Sequence, residues 1–295
     1  MTVDLAAAAD FLATGGRVLD RRRFELLFAG GSPVPVLAAV DGYRNADGGY
    51  GWGLEPDLRS ATSQPGGALH ALEAFADVAP ATTPRSLELC DWLAAASLPD
   101  GGLPFALPLP DPAGCAPFWV GVDATRSSLQ ITAVVAATAH QVAAADPAVA
   151  GHPWLGRATA YCLDAVGRLG AGAHAMELAF AVRFLDAAAA SHPEAAELVE
   201  RLRPHVPVDG LLHVAGGAPD EHMRPLDFAP LPGGPARSLF APGVVEAELD
   251  RLAAGQQDDG GWTVDFDSWS PAAALEWRGH RTVQALILLR ANGRL

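Results

Sequence analysis

Apolar residues along this chain recur at three- and four-residue spacing, and no stretch sustains two-residue alternation, so the pattern is helical throughout. The clearest segment is 64–75. Leu69, Leu72 and Phe75 form one stripe, Ser63 stands at a capping position and Pro65 falls in the first turn, where its missing N–H costs nothing. The same reading predicts helices over 4–13, 20–28, 84–96, 129–141, 193–202, 242–255 and 279–290, with another opening at 36–40. Pro33 and Pro35 are expected to bracket a turn. Residues 152–190 read as two helices broken at 167–172. Residues 211–239 contain five prolines and no periodicity; an unstructured stretch this long is usually functional, here either as a lid over a cavity or equally as a protein-binding edge.

Between helices the chain repeats one mark. Asp-Gly recurs at Asp47-Gly48, Asp100-Gly101, Asp209-Gly210 and Asp259-Gly260, at steps of 53, 109 and 50 residues. The middle step is about two units, a periodicity of stacked or circular repeats. In three copies a second Gly follows and then an apolar or aromatic residue: Tyr50, Leu103 and Trp262. Asp can accept a bond from the backbone two residues on, and Gly tolerates positive φ, so each copy predicts a tight turn pinned by the residue after it. Strongly apolar segments (129–139, 176–186, 281–289) alternate with more polar ones (85–91, 194–203, 244–251). Inner helices touch partners on several sides and outer ones on one. The expected fold is therefore all-α, a single α/α toroid over residues 1–295 built of paired helices joined by Gly-aromatic turns.

Composition narrows the partners. Half of the 295 residues are apolar, 18% are charged, and the net charge is −14. A chain so acidic lacks the basic footprint of a nucleic-acid binder. No apolar run approaches the roughly 20 residues of a membrane span, and the acidic start does not read as a signal peptide. Three scattered cysteines, Cys90, Cys115 and Cys162, fit a reducing cytoplasm and not a disulfide framework.

Gln257-Asp258-Asp259-Gly260-Gly261-Trp262 resembles the repeat of the squalene-cyclase and prenyltransferase β-subunit superfamily. Arg44 to Trp52 resembles a second copy without the Gln. The following helices, with Ala68-Leu69-His70-Ala71-Leu72 and Thr282-Val283-Gln284-Ala285-Leu286, are similar to those after the family's motifs. The resemblance implies an α/α toroid with a central cavity. Its activities would be terpene cyclisation or prenyl transfer, although one fold hosts many functions.

A cyclase of that kind protonates its substrate with an Asp in an Asp-x-Asp-Asp string. Asp265-Phe266-Asp267-Ser268 is the nearest match, with Ser in the last place. Asp267, helped by Asp265, is the expected acid, provided that burial tunes it; the plainer alternative is turn capping. Prenyl transfer needs zinc held by Asp, Cys and His. His280 resembles the family's His, but no Asp-x-Cys occurs, and Asp111 and Cys115 are four apart, so no metal or other cofactor is expected.

Three polar clusters precede or open apolar helices: Glu55, Asp57 and Arg59; Asp123 and Arg126; Glu276, Arg278 and His280. In a toroid they would ring one end of the cavity. Helix N-termini with Arg suit an anionic head such as a diphosphate or carboxylate, whereas helix capping and mutual ion pairs are the structural alternative. Trp269 and Trp277, with Trp52, Trp119, Trp262, Tyr50, Phe105 and Phe118, could line the cavity or serve as core. The leading expectation is a terpene-cyclase-like enzyme for an isoprenoid or similar apolar substrate. The alternative is a non-catalytic toroid that binds an apolar or anionic small molecule or a protein. A carbohydrate-active α/α barrel would need two carboxylates across an open cleft.

Overall fold

The computed structural model describes residues 3–295, and these are predominantly helical. The helices are α1 (Leu5–Gly15), α2 (Val18–Phe28), α3 (Pro33–Asp41), α4 (Pro65–Asp77), α5 (Pro84–Ala96), α6 (Leu129–Ala143), α7 (Pro147–Ala150), α8 (Pro153–Gly167), α9 (Ala175–Ala188) and α10 (Glu194–Leu202). After them come a two-residue antiparallel pair, β1 (Leu212–His213) and β2 (His222–Met223), and then α11 (Pro225–Phe228), α12 (Pro242–Ala254) and α13 (Pro271–Ala291).

Proline opens eight of the thirteen helices. This corrects two expected boundaries. Pro33 and Pro35 both lie in the first turn of α3 instead of bracketing a turn outside it. The last helix begins at Pro271, capped by the Ser270 hydroxyl, eight residues before the predicted start at Gly279. In both places a residue that breaks helix interiors is harmless at the first helical position.

The helices pack in succession. α2 meets α4, α4 meets α6, α6 meets α9, α9 meets α11, α11 meets α12, and α12 meets α13, while α13 also packs on α1 and α2. Eleven of the fifteen residues of α6 are buried, because α4, α8 and α9 cover it from different sides. α10 buries only Ala195, Val199 and Leu202, one stripe of an otherwise polar helix. One apolar cluster runs from Ala8 to Leu289.

The Asp-Gly turns form as expected. The Asp carboxylate accepts from the backbone two residues on in all four: Gly49, Gly102, Leu211 and Gly261, at 3.0 to 3.1 Å. Gly48, Gly101, Gly210 and Gly260 all have positive φ. In the three Gly-Gly copies the first Gly faces a backbone carbonyl of another helix: Glu88 of α5, Arg157 of α8 and Ala7 of α1. Each turn thus seats on the helix pair after its own, and the last seats on the first helix. Tyr50, Leu103 and Trp262 are buried behind the turns.

Residues 211–239 are not a free flap. Leu226, Phe228, Ala229, Ala236 and Leu239 are buried, and α11 packs on α9 and α12. The segment packs into the helical core along much of its length. Its prolines open α11 and a short 3-10 turn at 235–239.

Candidate functional site

A polar cluster lies between α2, α4 and α13, where an apolar core would ordinarily continue. On α4, His70, Glu73 and Asp77 stand three and four residues apart and share a face. Asp20 and Arg23 do the same on α2, and Trp277 and His280 on α13. Glu55 and Asp57 enter from the loop before α4. Gly279 permits the closeness of α2 and α13: a Cβ there would sit 3.0 Å from Asp20 Oδ2 and 3.3 Å from the Gly16 backbone. Asp20, Arg23, Glu55, Asp57, His70 and His280 are all buried.

His70 joins two carboxylates. Its Nε2 is 2.8 Å from Glu55 and its Nδ1 is 2.9 Å from Glu73. Burial alone would lower the His70 pKa, but Glu73 and Glu55 outweigh it and raise it to about 9. Burial likewise would raise Glu73, yet His280, His70 and Arg23 bring it well below the ordinary carboxylate range. His280 is the opposite case. Burial dominates, Glu73 opposes it, His70 and Arg23 add to it, and the pKa falls to about 3. His280 is therefore a neutral ring. Its Nδ1 lies 3.4 Å from Arg23 Nη1, a group that only donates, and 3.8 Å from Glu73 Oε2. Arg23 is anchored by Nε to Asp77 at 2.5 Å, and its Nη2 is buried without a partner. Trp277 stands edge-on to both imidazoles and to Phe266.

Two of the three predicted polar clusters meet here. Arg59 forms a two-pronged pair with Glu276, at 2.7 and 3.3 Å. Asp57 accepts from the Trp277 indole at 2.7 Å and from the Trp269 backbone at 2.9 Å. Burial raises the Asp57 pKa, and the two Trp bonds oppose the shift. The third cluster stays apart. Asp123 closes a local turn with Thr125, and both Asp123 and Arg126 are exposed. Arg278 points elsewhere, to Asp259 at 2.8 Å and over the Phe11 ring. Because α13 starts early, Glu276 to His280 lie within the helix, and no N-terminal dipole acts on them.

Asp265 and Asp267 are both exposed. Asp265 pairs with Arg224 at 3.3 Å, and neither carboxylate joins the cluster. The burial that an acid role demands is missing. Among the aromatic candidates only Trp277 borders the cluster. Tyr50 and Trp262 are core, Trp119 stacks on Phe105 beside Leu58 and Cys115, and Trp52, Phe118 and Trp269 are exposed. Glu55 and Glu73 share one imidazole, so they do not face each other across an open cleft.

The zinc set that the resemblance implies does not form. Asp111 caps a local turn at Ala113, and Cys115 is buried in an apolar cluster whose burial raises its thiol pKa. Among the described residues, one other group has donor atoms close enough for a metal: His70, Glu73 and His280, all within 4.8 Å. His70, Glu73, Arg23 and Asp77 were not expected from sequence. A histidine, an acid and another acid at 70, 73 and 77 on an otherwise apolar helix were the available signal. Compared with known protein families and with curated proteins, the chain matches none.

Proposed function

We propose that the helix pairs close into an α/α toroid, and that the chain binds a small molecule with an apolar body and an oxygen-bearing anionic head over the buried cluster. The closing contacts of α13 with α1 and α2, and the seating of the last Gly-Gly turn on α1, support the ring. One observation carries the ligand reading: Arg23 Nη2, on the guanidinium beside the His280 ring, is a buried donor with no acceptor in the protein. An unmet buried donor costs about 1–3 kcal/mol, and an acceptor oxygen from outside would remove that cost. Trp277 and Phe266 supply apolar surface beside the His280 ring. Asp265 and Asp267 are exposed and lie outside the cluster, so binding is proposed in preference to cyclisation.

The test is a tryptophan-fluorescence titration with farnesyl and geranylgeranyl diphosphate, followed by mass analysis of the recovered ligand. Saturable binding with the ligand unchanged is expected. His280→Phe, which keeps a ring but removes its nitrogens, should weaken binding about tenfold or more. Absence of saturable binding to either compound overturns the reading. Conversion to product that Asp267→Asn abolishes would replace it with the cyclase.

A further inference from the structure

We propose that His70, Glu73 and His280 form a binding site for one divalent zinc ion. This goes beyond the small-molecule reading and does not depend on it.

The placement is the first argument. Two ligands lie three apart on α4 and the third comes from α13, so the donors belong to two packed helices and not to a loop. The donor spacing is the second. His70 Nδ1 is 2.9 Å from Glu73 Oε2, and His280 Nδ1 is 3.8 Å from that same oxygen. Tetrahedral zinc, about 2.0–2.1 Å from each nitrogen or oxygen, spaces its donors about 3.3 Å apart. These two pairs bracket that value, and all three donor atoms lie within 4.8 Å of one another, so the donors need only draw together around the ion. Two imidazoles and one carboxylate also leave a fourth position open.

The surroundings are the third argument. A zinc-bound histidine ordinarily gives its other ring N–H to a carboxylate, which fixes the tautomer and the ring plane. Glu55 holds that position, 2.8 Å from His70 Nε2 and buried. Had His70 served only to pair with Glu73, the second buried carboxylate on its far nitrogen would be an added desolvation cost. Arg23 is the group a cation must coexist with, since its Nη1 is 3.4 Å from His280 Nδ1 and 4.0 Å from Glu73. Its Nε is fixed by Asp77, and its Nη2 is left unpartnered next to the group.

The experiment strips the full-length protein with a chelator and titrates it with cobalt(II), then zinc, with no organic ligand present. The expected result is one equivalent per chain, a visible cobalt spectrum of low-coordinate type, and displacement of cobalt by zinc. Glu73→Gln and His280→Gln should each lose at least 100-fold in affinity. Glu55→Gln, which touches only the support, should lose 10- to 100-fold. No stoichiometric binding, or binding that survives both ligand variants, overturns the site. If those variants fail to fold, X-ray absorption of the zinc-loaded wild-type protein decides. Two imidazoles in the first shell uphold the site; a shell of oxygen alone overturns it. Metal uptake without isoprenoid binding would sink only the ligand reading, and the reverse result would sink only this one.

Discussion

His70 and His280 have ring centroids 5.0 Å apart, yet their surroundings shift their pKa values in opposite directions. His70 faces Glu55 and Glu73; His280 faces Glu73, Arg23 and the His70 ring. With its pKa raised to about 9, metal-free folded protein keeps the His70 proton where the unfolded chain has released it. Stability from His70 is full below about pH 6.5 and is lost as pH rises toward 9, by about 3 kcal/mol. His280, lowered to about 3, acts in the other direction: its contribution is full above about pH 6.5 and is lost as pH falls. Urea unfolding of the metal-free protein from pH 4 to 10 should therefore peak near 6.5, and His70→Gln should flatten the alkaline limb. A limb unchanged in that variant would rule out His70 as its source. Asp57 offers a second residue-scale test. Asp57→Ala strips the half-buried Trp277 indole of its acceptor and should cost about 1–2 kcal/mol, whereas Asp123→Ala, at an exposed turn, should stay within about 0.5. Equal costs would mean that the Asp57 and Glu276 clusters are not joined as described.

Among the elements, the turns hold the sharpest expectation. A Cβ on Gly260, already at φ +89°, would collide with the Ala7 carbonyl of α1. Gly260→Ala should cost about 2–4 kcal/mol. Gly156, inside α8 and with open space around it, should gain up to about 1 kcal/mol as Ala. Thermal unfolding of the two variants should move the midpoint in opposite directions; a shared direction would contradict the seating of the turn. These turns were legible beforehand because an Asp carboxylate and a positive-φ Gly act within three residues. Helix α5 was legible for the same reason, its stripe, Thr83 cap and Pro84 all being local. The start of α13 was not. Ser270 and Pro271 read as loop, and Gly279 read as a boundary, though its role is to admit α2. The site was less legible still. Nothing near His70 in sequence indicates that Glu55 and His280 approach it, because that meeting depends on how α2, α4 and α13 pack.

For the whole molecule, the proposed ring makes a claim that an open stack of helix pairs does not. In an open stack each pair touches only its neighbours, so removing an end pair leaves the far pairs nearly as stable as before. In a ring, α1 is not an end. It receives the last Gly-Gly turn, the Arg278 guanidinium lies over its Phe11, and Asp4 and Gln256 exchange bonds of 2.8 Å in both directions. Removing residues 1–16 should therefore expose Trp262 and loosen α13, and through α13 the contacts that α2 makes with α4. Hydrogen exchange on the truncated chain should lose protection in α13 and α4 together, and to a smaller degree in α6, which packs on α4. Protection lost in α12 and α13 but undiminished in α4 would describe a chain whose ends merely touch. Loss that spreads around the helices in both directions from α1 is the behaviour that only closure produces.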